Sequence, residues 1–315
     1  MNHFAGELKR YLEIRRSLGF GLATAARILR NFVLFADSNG AAHMSTDLFL
    51  QWRKAFGHAN SQTWSARLGI IRHFAAWLNT IDQKHEIPPR GLVPGSSRRS
   101  PPYIYSDEQI KGLLKAADEL RSLNGIRALT YSTLFGLISV TGLRINEAVA
   151  LNDNDVDFIG GIVTVRQGKF GKERILPVSE STVDLLRAYA SERNRLLGHA
   201  SKPFFVSDHG IRVTDCAARY NFACVSRSAG LRPFTRFGKH GRGPRIHDLR
   251  HTFAVRTMLT WYQLGLDPGR EMIKLTTYLG HSGPKYTYWY IEAVPELLQL
   301  ASERATRSIE KDGNK

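Results

Sequence analysis

Apolar residues recur at helical spacing through the first 80 residues of the chain. Leu8, Tyr11, Leu12 and Arg15 keep this spacing up to Gly19, and Ala25, Ile28, Leu29, Phe32, Val33 and Phe35 form a second stripe ending near Asn39-Gly40. Ser45 is placed to cap a helix over 48–56, and Asn60 or Ser61 to cap one through Trp64, Leu68, Ile71, Phe74 and Leu78. Four short helices of this kind predict a compact bundle ringed by exposed arginines. Residues 86–102 then break the pattern, because their prolines and glycines suit neither a continuing helix nor a central strand. Arg90, Arg98 and Arg99 leave this break basic.

A helix restarts at Ser106, with Gln109 three residues on completing a capping-box pattern. Residues 162–167 alternate β-branched and polar side chains, 168–172 read as a turn, and 174–178 return as a second strand. Helices are predicted again over 181–196, 214–229, 246–264, 269–279 and 295–309. The expected fold class is mainly α with a small β-sheet (α+β). Its expected organisation is a helical domain over 1–87, a basic linker over 88–105 and a second domain over 106–315.

Charge narrows the choice of partner. The 315 residues carry 44 Lys and Arg against 28 Asp and Glu, a net +16. Residues 1–99 hold 14 basic and 6 acidic side chains, so half of the excess lies in each part of the chain. A basic tail on a neutral body is thereby excluded, and both domains can face a polyanion. No apolar run of about 18 residues marks a membrane span. The N-terminus lacks the basic-then-apolar layout of a secretory signal, so a cytoplasmic protein is expected. Two cysteines, Cys216 and Cys224, cannot complete a four-ligand zinc site and read as reduced thiols on a helix.

Four separated pieces carry candidate chemistry. They are Thr141-Gly142-Leu143-Arg144-Ile145-Asn146-Glu147; the turn from Gly168 to Lys172 with Glu173-Arg174-Ile175-Leu176-Pro177; His247-Asp248-Leu249-Arg250-His251; and Leu279-Gly280-His281 with Tyr290 nine residues later. Each is ordinary alone. Arg144 by itself reads as an ion-pair partner of Glu147. The four-residue step from His247 to His251 can hold zinc, but the residues between them lack the acid of a zinc protease and include a cation.

In order and spacing the four pieces resemble the tyrosine recombinase (phage integrase) family across residues 106–295. The family pattern is an arginine in a T-G-[LM]-R-x-x-E box, a lysine in a β-hairpin, an H-x-x-R box, and L-G-H followed by a nucleophilic tyrosine. The resemblance implies a helical, SAM-like core-binding N-terminal domain and a catalytic domain that close as a clamp on double-stranded DNA. It implies that Tyr290 attacks a DNA phosphate while Arg144 and Arg250 hold the non-bridging oxygens. By the same resemblance His247 is a general base or phosphate ligand, His281 a further donor, and Lys169 the general acid, with Lys172 as runner-up. Planar, permanently charged guanidinium groups suit the charge that grows on a phosphate under attack. A phenol titrating near pH 10 needs a base and a cationic pocket to act at neutral pH.

The implied product is a 3′-phosphotyrosyl link, which stores the bond energy, so neither ATP, a cofactor nor a metal is expected. The implied partners are DNA and further copies of the chain, a tetramer on synapsed DNA, with or without partner recombinases. The 295–309 helix, carrying Leu297, Leu298, Leu300 and Ile309, is the expected contact to a neighbouring copy. Tyr278, Tyr286 and Tyr288 read as packing or phosphate-contact residues, Trp289 as packing for Tyr290, and Arg232 to Arg245 as a DNA-contacting loop. The spacing from Arg250 to His281 is long for the family, and Gly283-Pro284 replaces small polar residues. The segment around Tyr290 looks like transposon-borne members. The rival readings are a type IB topoisomerase and a regulator that has kept the fold and lost catalysis.

Overall fold

A computed structural model of the chain describes residues 3–95, 101–166, 173–233 and 243–312. The chain divides into two compact units, Met1–Arg99 and Ser100–Lys315.

Unit 1 contains α1 (His3–Ser17), α2 (Ala23–Ser38), α3 (Thr46–Ala55) and α4 (Ser61–Ile81). Ser45 Oγ accepts from Leu48 N at 3.1 Å and Asn60 Oδ1 from Thr63 N at 2.8 Å, so both helices start at side chains that satisfy an orphan N–H. The apolar stripes meet in a core rich in aromatic rings. Trp52 packs edge-on against Trp64, with ring centroids 5.3 Å apart, and its indole N–H reaches Asn31 Oδ1 at 2.9 Å. Burying a side chain of this kind contributes about 2–3 kcal/mol. After α4, His85 Nδ1 accepts from Met44 N at 2.9 Å and Glu86 accepts from Thr46 N at 2.9 Å. Val93 is buried in the same core. The proline- and glycine-rich stretch is therefore fastened to unit 1 as far as Val93.

Unit 2 begins with α5 (Asp107–Asp118), whose capping box joins Ser106 and Gln109 reciprocally. The next helix, α6 (Ile126–Thr141), is apolar on nearly every face and packs against α5, α8 (Glu180–Leu197), α9 (Asp215–Ser228) and α10 (Ile246–Gln263). It is the central helix of the unit. After α6 come α7 (Ile145–Ala150) and an antiparallel sheet of β1 (Val156–Asp157), β2 (Ile162–Val165) and β3 (Arg174–Pro177), in that order. The expected strand pair is present, with Ile162 opposite Pro177 and Val165 opposite Arg174, and β1 adds a third strand. The turn between β2 and β3, with Lys169 and Lys172, lies outside the described residues.

A separate apolar cluster is built from α10, α11 (Pro268–Leu279), α12 (Lys285–Ala293) and α13 (Pro295–Asp312). The chain buries Leu297 within this cluster, where α13 packs on α10 and α12, and leaves Leu298 exposed. Of the expected inter-copy face, Leu297 is thus used internally. Both cysteines lie on α9, and Cys216 is exposed rather than packed. No described helix is long and apolar enough to cross a membrane.

Candidate active site

Two helix ends create the pocket. The αL residue Gly142 (φ +63°) closes α6 and Gly280 (φ +65°) closes α11, both left-handed conformations that suit glycine. A Cβ on Gly142 would also lie 2.6 Å from the Phe253 ring, so the position excludes a side chain on two grounds. The last carbonyls of a helix lack internal partners and carry partial negative charge, which favours cations there.

Three arginines take those carbonyls. Arg250, 1% exposed on α10, donates from Nη1 to Gly142 O at 2.6 Å and from Nη2 to Leu279 O at 2.7 Å. Arg144, at the start of α7, donates from Nη1 to Leu279 O at 3.4 Å and from Nη2 to Gly280 O at 3.1 Å. Arg174 on β3 donates from Nε to Tyr278 O at 2.9 Å. Beneath them Glu147 accepts from Arg144 Nη1 at 2.7 Å and from both terminal nitrogens of Arg174 at 3.1 and 2.7 Å. It also returns to Arg144 N at 3.0 Å, fixing the turn into α7. Burial would raise the pKa of Glu147, but hydrogen bonds and charge from Arg174, then from Arg144, outweigh this and hold the carboxyl at about 2. Three cations against one carboxylate leave the pocket net positive.

Arg174 belongs to none of the motif positions that carry a role. Its signal is the strand alternation that sets it on the same face as buried Leu176, an unusual place for a cation unless it is paired.

The two motif histidines meet the same charges. Thr287 Oγ1 lies 2.8 Å from His281 Nδ1 and 3.0 Å from Thr276 Oγ1, so His281 Nδ1 is committed and a ligand would meet Nε2. Burial first, then Arg250 and Arg144, push the His281 imidazole down to about 3. His247 stands one turn before His251 on α10, with ring centroids 4.6 Å apart. Lost hydration, then His251 and Arg250, lower its pKa as well. His247 nonetheless keeps an exposed edge, whose solvent screens the shift, so its direction is what the geometry carries: a neutral ring at pH 7. Arg250 itself is lowered to about 9 by burial and by Arg144, and remains a cation at pH 7.

Tyr290, on α12, is 2% exposed and its Oη lies 2.8 Å from His251 Nδ1. Trp289 packs beside both rings, at 5.3 Å from Tyr290 and 5.7 Å from His251. The other tyrosines sit elsewhere: Tyr278 stacks on Phe253, and Tyr286 and Tyr288 are exposed. The negative charge of an ionised Tyr290 would raise the Arg250 pKa, so phenol and guanidinium share one electrostatic site. The structure thus brings Arg144, His247, Arg250, His281 and Tyr290 to one pocket, and adds Arg174, Glu147 and His251. Lys169, Arg236, Lys239, His240 and Arg242 lie outside the described residues. Arg232 departs from the DNA-contacting reading, since it is buried with its guanidinium on Pro244 O. Among the described residues no cluster of His, Cys, Asp or Glu could hold a metal ion.

Such a pocket can bind a phosphodiester through fixed cations and present a phenol to it. Residues 104–296 match the model of the phage integrase family. The chain is 39% identical over 312 residues to a putative integrase/recombinase of Sinorhizobium fredii, y4rB, covering 98% of each chain. It is 29% identical over 298 residues to the tyrosine recombinase XerA of Thermococcus kodakarensis, covering 95% of this chain and 88% of that one. Its fold is similar to that of the Tn1549 transposon integrase solved with transposon right end DNA, with a TM-score of 0.64 at 14% identity, covering 95% and 99% of the two chains.

Proposed function

The chain belongs to the phage integrase family, and from that premise we propose that it is a site-specific DNA recombinase that cuts and rejoins strands through Tyr290. Tyr290 Oη attacks the scissile phosphorus and the bond to the 5′ oxygen breaks, leaving a 3′-phosphotyrosyl link and a 5′ hydroxyl. Arg144 and Arg250 donate to the non-bridging oxygens, where charge increases in the transition state. Their other donors are engaged by Leu279 O, Gly280 O and Gly142 O, so the forks are held in place before DNA arrives. His281 offers Nε2 to the same phosphate, and His247 serves as a further ligand from its open edge. Lys169 protonates the departing 5′ oxygen.

The protein acts on double-stranded DNA as a homo-oligomer, a tetramer on synapsed sites, and works in the cytoplasm. Mobility of a transposable element is the biological setting we assign to it. The core-binding domain takes in residues as far as Val93, which packs in unit 1, and the catalytic domain begins before Tyr105, which packs in unit 2, so the linker is shorter than 88–105. The observation that carries this reading is the fixing of two guanidinium groups on the α11 terminus within the electrostatic reach of the Tyr290 phenol. Nicked duplexes tiled across the DNA flanking the gene test it. The intact chain is expected to form a protein–DNA adduct stable to detergent, and Tyr290→Phe to bind the same duplex with no adduct. An adduct formed by the phenylalanine variant refutes the reading.

A further inference from the structure

A group that takes the phenolic proton must stand within hydrogen-bond reach of Oη. His251 meets that condition at 2.8 Å. The contact joins α10 to α12 in a place poor in water, since Tyr290 is 2% exposed and the His251 side chain 12%. On the far side of the imidazole, Asp248 Oδ1 lies 4.0 Å from His251 Nε2. Asp248 is itself buried and held by Arg245, whose backbone N reaches Oδ2 at 2.7 Å and whose Nη2 reaches Oδ1 at 3.1 Å. A carboxylate there favours the tautomer with its proton on Nε2, which leaves the Nδ1 lone pair for the phenol. It also stabilises the imidazolium that forms when Nδ1 gains a proton. The imidazole thus has the phenol at 2.8 Å from Nδ1 and a carboxylate oxygen at 4.0 Å from Nε2, so each ring nitrogen faces a different group.

We propose that His251 is the general base of the cleavage step, a role resting on the recombinase reading above and leaving His247 to the phosphate. As the Oη–phosphorus bond forms and the bond from phosphorus to the 5′ oxygen breaks, the Oη proton passes to His251 Nδ1. The 5′ oxygen takes its proton from the general acid at Lys169. On religation both transfers run backwards, and His251 returns its proton to Tyr290. The titratable and charged groups sharing this pocket are Arg245, His247, Asp248 and Arg250 at the start of α10, Tyr290 from α12, His281 after α11, Arg144 and Glu147 at the start of α7 and Arg174 from β3.

The test is single-turnover adduct formation by the full chain on a nicked duplex that the wild type cleaves. His251→Gln is expected to slow adduct formation by about 10²–10⁴-fold while DNA binding survives. The acidic limb of the pH–rate profile should vanish in His251→Gln and persist in His247→Gln. Replacing the 5′ bridging oxygen by sulfur, which leaves without a proton, should not restore the rate. Added imidazole should restore the rate of His251→Gly, an outcome that a purely structural loss would not give. A His251→Gln rate within about threefold of wild type with the limb intact overturns the proposal, as does rescue by the sulfur substrate or failure of imidazole to act on a His251→Gly protein that still binds DNA. If His251→Gln is fully active while Tyr290→Phe is dead, only this inference falls. If Tyr290→Phe still forms adduct, the recombinase reading falls first.

Discussion

In unit 1 no charged residue is buried whole: among its described residues every Arg, Lys, Asp and Glu keeps exposed surface, and Arg67 lies over the Phe56 and Trp64 rings, 4.5 Å from each centroid. Unit 2 does the opposite. It buries Glu147 and Arg250, and it encloses Arg144 and Arg174 beside them. An aromatic core needs no buried ions to hold four helices together, and the desolvation of an ion costs several kcal/mol that pairing only partly offsets. Arg144, Arg174 and Arg250 are fixed on helix-end carbonyls, whereas Arg193, as buried as Arg250, pairs with Asp153 and donates to Phe204 O, so burial of an ion in unit 2 does not by itself mark the site.

The largest expected effect comes from exchanging the shape of one cation. Arg250→Lys keeps the charge but cannot reach Gly142 O and Leu279 O with a planar fork while donating to phosphate. Adduct formation should fall by about 10³-fold, in the range seen when one transition-state donor is lost, and single-turnover rates on a nicked duplex measure it.

Glu147→Gln comes next. It leaves Arg144 and Arg174 facing each other without their carboxylate, and breaking a buried pair in this way should cost about 3–5 kcal/mol, read from thermal or denaturant unfolding. The same carboxyl gives a pH signature. Its pKa is 4.5 ordinarily and about 2 in the fold, so its contribution is complete above 4.5 and is lost as pH falls toward 2. His281, held near 3 instead of 6.5, acts in the same direction, because between those values the unfolded chain binds a proton that the folded chain refuses. Stability of unit 2 should therefore fall with acidification from 6.5 downward, and Glu147→Gln should flatten the part below 4.5.

The smallest effect belongs to unit 1. Arg67→Ala removes a cation from two aromatic faces at an accessible site and should cost about 0.5–1 kcal/mol, seen as a small shift in melting temperature. A loss as large as that of Glu147→Gln would erase the contrast between the units.

Much of this arrangement was legible along the chain. The helices of unit 1 follow from their apolar stripes, with starts marked by Ser45 and Asn60, and α5 from the Ser106–Gln109 pair. The hairpin strands follow from alternation. Other elements were not legible. The central helix α6 is apolar on nearly every face and shows no stripe, β1 has two residues and α7 six, too few for a period to show, and α12 has only nine. At the site, Arg144, His247, Arg250, His281 and Tyr290 were singled out by motif, and the fold gathers them. His251 was seen only as half of a spacing, because its bond to Tyr290 spans 39 residues and depends on how α10 packs against α12. Arg174 could have been found from its inward strand position, whereas its bond to Glu147 is purely tertiary.

In the proposed reaction one phenolic oxygen, on Tyr290, takes the DNA strand. Its most direct test is to trap the adduct on a nicked duplex, digest it, and locate the nucleotide by mass spectrometry. The nucleotide is expected on Tyr290. A nucleotide on Tyr286, Tyr288 or any other side chain would contradict it.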